Sequence, residues 1–130
     1  MTNTYAPGLH LLADFHDVDP ALLGDSAALR NALRHAAMAA GAHEIAAHFH
    51  HFGPGMGVTG MLLLRESHIS IHTWPETRLA VIDIFMCGRA APDKALAVLR
   101  QWLRPGDTVE HRIARGRPES PESDVTARKR

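Results

Sequence analysis

Glu66-Ser67-His68-Ile69-Ser70-Ile71-His72-Thr73-Trp74-Pro75-Glu76 runs directly into Thr77-Arg78-Leu79-Ala80-Val81-Ile82-Asp83-Ile84-Phe85-Met86-Cys87-Gly88. Polar and apolar side chains alternate over Ser67–Trp74 and again over Leu79–Cys87. Alternation with a period of two is the mark of a strand with one buried face. Pro75-Glu76 breaks the pattern between the two runs, so the stretch reads as a β-hairpin. Upstream, Val58–Arg65 is strongly apolar and reads as a further, buried strand. It follows a loop, Gly53-Pro54-Gly55-Met56-Gly57, marked by its glycines and proline.

Working outward, Ala42–Phe52 is expected to be a strand. Leu29, Leu33, Ala36, Ala37 and Ala40 recur at helical spacing and predict a helix over residues 26–40, stopped by Gly41. Asp19-Pro20 and Asp25-Ser26 are both helix-start signals. Gly8–Val18, with Leu9, Leu11, Ala13 and Phe15 in alternation, predicts the first strand. On the other side, Pro92–Leu103 predicts a second helix, closed before Pro105-Gly106, and Thr108–Arg115 a last strand. Residues 1–7 are expected to be flexible, 8–115 to form one domain, and 116–130 to be a disordered tail rich in Pro and Ser. Consecutive strands joined by tight turns favour antiparallel pairing. Two helices with one apolar stripe each cover one face. The predicted fold is α/β: a two-layer sandwich of an antiparallel sheet with two helices packed on one face. The other face is left to solvent or to another chain. Strands this apolar favour the partner, so a homodimer is expected.

Bulk properties narrow the function classes. The chain has 130 residues, 45% hydrophobic and 22% charged, with zero formal net charge. That suits one globular domain and gives no overall attraction to nucleic acid or anionic lipid. A single cysteine cannot form an internal disulfide and suits a cytoplasmic location. No basic start followed by an apolar run marks a signal peptide, and no apolar run is long enough to span a bilayer. His48, His50 and His51 cluster, but no second ligand set at recognised spacing accompanies them, so no metal is expected.

Arg65-Glu66-Ser67 is a polar interruption between two apolar strands. A surface turn explains it on local pattern alone. The wider pattern adds a second explanation. Glu66–Glu76 followed by Ile82–Gly88 resembles the signature of the bacterial and archaeal S-adenosylmethionine decarboxylase proenzymes. Gly8–Phe15, the Ala-rich helix, His50-His51-Phe52, Gly57-Val58-Thr59-Gly60 and Glu110-His111 fall where that family has similar segments, so the likeness covers roughly residues 8–115.

The resemblance implies self-processing between Glu66 and Ser67, giving a β chain of residues 1–66 and an α chain of 67–130. The Ser67 hydroxyl attacks the Glu66 carbonyl to form an ester. β-Elimination then leaves a dehydroalanine that hydrolyses to a pyruvoyl group, the covalent cofactor. That ketone forms a Schiff base with the substrate amine and takes up the charge left by decarboxylation. By the same resemblance, His72 is the proton acceptor in processing and Cys87 the proton donor to the product. Thr59, where the family usually has Ser, assists processing. Phe52 and Trp74 match aromatic positions near the substrate pocket, and Glu76 matches an acidic residue that binds ribose hydroxyls. On residues alone, core packing explains Phe52 and Trp74 equally well, His72 reads as an ordinary strand histidine, and Cys87 as a small apolar side chain.

Two departures bear on the substrate. Thr77-Arg78-Leu79 replaces an aromatic-glycine-aromatic segment, and Met86 replaces a Thr; both are expected to flank the pocket. The implied activity is decarboxylation of S-adenosylmethionine, giving the aminopropyl donor of spermidine synthesis. A pyruvoyl enzyme acting on arginine or ornithine is the alternative, with Arg78 and Met86 as the positions to carry that change. An unprocessed, non-catalytic homologue is the third reading.

Overall fold

A computed structural model describes residues 8–116. The expected flexible start, 1–7, and all of the expected tail except Gly116 lie outside the described residues. Six strands form one antiparallel sheet: β1 Gly8–His16, β2 Glu44–His51, β3 Val58–Leu64, β4 Ser67–Trp74, β5 Leu79–Met86 and β6 Asp107–Arg115. Their spatial order is β2-β3-β4-β5-β1-β6. The helices are α1 Pro20–Leu23, α2 Ser26–Ala39 and α3 Pro92–Leu103. The predicted strand and helix order is thus observed, with α1 as a one-turn addition to the two long helices.

Local chemistry explains the boundaries. Asp19 caps α1 by accepting from the Ala21 N–H at 3.0 Å, with Pro20 in the first turn. Asp25 caps α2 by accepting from the Ala28 N–H at 3.0 Å. Beyond its end Gly41 takes φ +76°, a left-handed conformation that glycine adopts without steric penalty. The β4–β5 connection is wider than a two-residue hairpin. Pro75–Thr77 makes one 3-10 turn, and Arg78 turns the chain back at φ 56°.

Alternation decides which face is core. Ile69 and Ile71 on β4, Ile82 and Ile84 on β5, and Leu62 and Leu64 on β3 are buried. They meet Leu29, Leu33 and Ala36 of α2 and Ala95, Leu96 and Leu99 of α3 in a single cluster. Each fully buried aliphatic side chain in such a core contributes about 1.5–3 kcal/mol of transfer free energy. Residues of the opposite parity, among them Met61, Leu63 and Trp74, remain exposed on the helix-free face. Thr73 is the one buried polar side chain among the described residues. Its hydroxyl donates to the Leu23 carbonyl at 2.7 Å and accepts from the Val58 N–H at 2.8 Å, which ties α1, β3 and β4 together.

Met86 requires a correction. Expected beside the pocket, it is 1% exposed and packs in the core under the helices. As the last residue of β5 it shares inward parity with Ile82 and Ile84. Its side chain is turned away from the open face, directly across the ladder from Ser67.

Candidate active site at the two ends of strand β4

Arg65 and Glu66 form the tight turn between β3 and β4, and Ser67 opens β4 in register with Leu64 and Met86. Ser67 has φ 136°, a region that non-glycine residues rarely occupy. Holding it there costs about 1–3 kcal/mol, and such a conformation persists only where neighbours impose it. The neighbours are visible. The Glu66 carbonyl oxygen accepts from the Cys87 N–H at 3.0 Å and lies 3.4 Å from the Cys87 thiol as donor. Glu66 Oε1 accepts from the His43 N–H at 2.9 Å, and Oε2 lies 2.7 Å from His43 Nδ1. The Arg65 N–H donates to the His43 carbonyl at 2.9 Å. Partial burial pushes the Glu66 carboxyl up, but the hydrogen bonds from the His43 ring and backbone outweigh it and hold the carboxyl below its ordinary range.

The other predicted residues gather at the opposite end of the strand. Thr59 on β3 pairs with His72 on β4, and Thr59 Oγ1 lies 3.1 Å from His72 Nδ1. That contact engages Nδ1 and not Nε2, the nitrogen at the ring's far side. Phe52, Thr59, His72, Trp74 and Glu76 line one cavity of about 290 Å³. Phe52 is 56% exposed and Trp74 41%, so core packing does not account for either aromatic. Trp74 also neighbours the His72 ring, centroid to centroid 6.4 Å.

Met56, Gly57 and Thr73 complete the lining, and sequence reasoning gave none of them a role at the site. Gly57 is there because a Cβ would fall 1.9 Å from the Thr73 carbonyl oxygen. Its place in a Gly-rich loop was the signal available. His43 was also missed; nothing local marks a residue that lies 23 positions before its partner Glu66. Arg78 sits just past the 3-10 turn that carries Glu76. His48 and His50 face the open side on β2 beside Met61 and Thr59, in a depression that also takes in Phe49 and adjoins the cavity at Thr59.

Ser67, Glu66 and Cys87 are therefore together, as are Thr59, His72, Phe52, Trp74 and Glu76, but the two groups are apart. Five residue steps of extended strand separate Ser67 from His72, about 17 Å at the usual rise. A histidine at that distance cannot take a proton from Ser67 within one chain.

The family described as S-adenosylmethionine decarboxylase matches residues 9–116. A protein of Parasynechococcus marenigrum (strain WH8102), named S-adenosylmethionine decarboxylase proenzyme, is 46% identical over 115 residues, 88% of this chain and 87% of its own length. One of the same name from Prochlorococcus marinus (strain MIT 9313) is 41% identical over 121 residues, covering 92% and 94%. The crystal structure of the adenosylmethionine decarboxylase from Aquifex aeolicus VF5 superposes with a TM-score of 0.80 at 35% identity, over 90% of this chain and 97% of that one.

Proposed function

The chain belongs to the S-adenosylmethionine decarboxylase family, and from that premise we propose how its residues carry out the family's reaction. The protein is a decarboxylase of S-adenosylmethionine, made as a proenzyme, and its product is the aminopropyl donor of spermidine synthesis. Its cofactor is a pyruvoyl group made from Ser67 by cleavage of the Glu66–Ser67 bond.

The observation that carries this reading is the geometry at that bond. A strained Ser67, φ 136°, follows a carbonyl that already accepts from the Cys87 N–H at 3.0 Å. Ser67 Oγ adds to the Glu66 carbonyl carbon. The oxygen gains negative charge where two donors already point at it, which is the placement that lowers an acyl-transfer barrier. The C–N bond then breaks, the Ser67 nitrogen takes a proton, and residue 67 is joined to residue 66 by an ester. Relief of the Ser67 backbone favours the same direction. A histidine base removes the Ser67 α-proton, the ester oxygen leaves as the Glu66 carboxylate, and hydrolysis of the remaining enamine releases ammonia.

His72 is that base, supplied by a second copy. The separation of about 17 Å along β4 excludes its action within one chain. A copy set antiparallel on the helix-free face brings its His72 end toward the Ser67 end of the first. The exposed Met61, Leu63 and Trp74 on that face favour such burial. The active unit is thus a homodimer with two shared sites.

The pyruvoyl ketone supplies an electron sink for the carbanion left when carbon dioxide departs. Every other task falls to side chains. Phe52 and Trp74 offer flat apolar surfaces to the adenine ring. Glu76 accepts hydrogen bonds from the ribose hydroxyls. Cys87 Sγ, beside residue 67, returns a proton to the product α-carbon.

Denaturing mass spectrometry of the purified protein tests the first step: two chains divided after Glu66, the second beginning with a pyruvoyl group, are expected. One intact chain in an active preparation would sink the proposal. Coexpression of Ser67→Ala with His72→Ala tests the shared site. Each variant alone is inactive, while the mixture regains activity, because one site in a mixed dimer has both residues. Silence in a mixture shown to contain mixed dimers would place the two residues in the same chain's site.

A further inference from the structure

Resting on the self-cleavage reading, we infer that His43 is a positioning residue that clamps the Glu66–Ser67 peptide in its reactive conformation. Nothing in the sequence around His43 marks it, and it touches neither Ser67 nor the cavity of Phe52 and Trp74. Three of its hydrogen-bonding groups are nevertheless directed at the Arg65-Glu66 turn. The backbone carbonyl takes the Arg65 N–H at 2.9 Å, the backbone N–H meets Glu66 Oε1 at 2.9 Å, and Nδ1 meets Glu66 Oε2 at 2.7 Å.

Three bonds from one residue to two successive residues fix the position and rotation of the peptide plane that follows. The Glu66 carbonyl is held from the other side by Cys87, at 3.0 Å from its N–H. Clamped between His43 and Cys87, Glu66 cannot turn its carbonyl to relax the backbone of Ser67 at φ 136°. His43 is itself held on a firm base. Ala42 before it is buried, and the Ala42 N–H donates to the Ala37 carbonyl of α2 at 2.9 Å. The clamp therefore transmits the rigidity of α2 to a turn that has no glycine or proline of its own.

Two of the three bonds use the His43 backbone and are kept by alanine and asparagine. The side chain contributes only the Nδ1 contact, and its imidazole is 65% exposed. Removing it is expected to slow cleavage by about three- to tenfold, the worth of one partly screened hydrogen bond. Asparagine carries an N–H donor at about the place of Nδ1 and is expected to restore the rate.

The test follows the cleavage of freshly synthesised full-length proenzyme by gel and mass spectrometry. It compares the native chain, His43→Ala and His43→Asn, with melting temperatures measured on each. Expected are slower cleavage in the alanine variant, a near-native rate in the asparagine variant, and melting temperatures that keep all three folded under the assay. Hydroxylamine, which cuts esters, separates the steps. It is expected to release fragments from His72→Ala, stalled after ester formation, and to leave His43→Ala slow. Native cleavage by His43→Ala would overturn the inference, as would equal slowing in both His43 variants or full rescue of His43→Ala by hydroxylamine. A native chain that never cleaves would overturn the self-cleavage reading instead.

Discussion

The two ends of β4 are built differently. At Ser67 the backbone is bent out of its ordinary range and tied down by Cys87 and His43. At Trp74 the backbone is ordinary, and the side chains stand open around a cavity, with Phe52 and Trp74 half exposed. The first end has its partners within the chain and is arranged to act on itself. The second keeps the Thr59–His72 contact but leaves its aromatic side chains open. A single strand thus presents two unlike half-sites, which the proposed homodimer would bring together.

Substitutions at either end sharpen or break that contrast. The largest effect is expected from Ser67→Ala, which removes the attacking hydroxyl: the protein should remain one 14.2 kDa chain with no decarboxylase activity. Carbon dioxide release by that variant would break the assignment of the Ser67 end. Next comes Cys87→Ala. Its backbone N–H still supports the Glu66 carbonyl, so cleavage continues while turnover falls by about a hundredfold or more, the usual worth of a positioned proton donor. Equal loss of both reactions would show the thiol, and not the N–H, to be the main support of the carbonyl.

At the receptive end, Trp74→Ala should leave cleavage intact and raise KM for S-adenosylmethionine by about tenfold, in keeping with the loss of one base–aromatic stack. A fall in cleavage rate with unchanged KM would contradict the division between the ends. The smallest effect concerns pH. The Glu66 carboxyl is held below its ordinary range in the folded chain. It therefore contributes stability that is fully present above the ordinary carboxylate range and is lost as pH falls through the lowered value. In uncut Ser67→Ala protein, Glu66→Gln should lower the melting temperature at neutral pH, and the gap should close in acid. A gap independent of pH would remove ionisation from the role of Glu66.

Much of this arrangement was legible before any coordinates. The limits of β4 and α3 follow from alternation and helical spacing, and Asp19-Pro20 announced α1. The family resemblance brought Ser67, His72 and Cys87 forward. Three things were not legible. The surface turn at Arg65-Glu66 was legible, but not that its positive φ falls on Ser67 itself, where the proposed cleavage would draw on the strain. Met86 was expected at the pocket because it neighbours Cys87 in sequence, but parity turns it into the core. His43 reaches Glu66 only through the fold, since antiparallel pairing of β2 with β3 brings their ends to one place. Local pattern sets which face a residue takes, and only tertiary pairing sets what it meets there.

The strand order has a consequence for what the protein becomes. Strand β1, from the half before residue 67, lies between β5 and β6, both from the half after it. Were the backbone to open after Glu66 as proposed, the two pieces would be interwoven, and neither could depart without unzipping ladders on both sides of β1. The uncut chain unfolds and refolds as a single molecule, whereas the cut form, once melted, must find its other piece by diffusion. The proposed maturation would thereby make recovery of the fold depend on concentration.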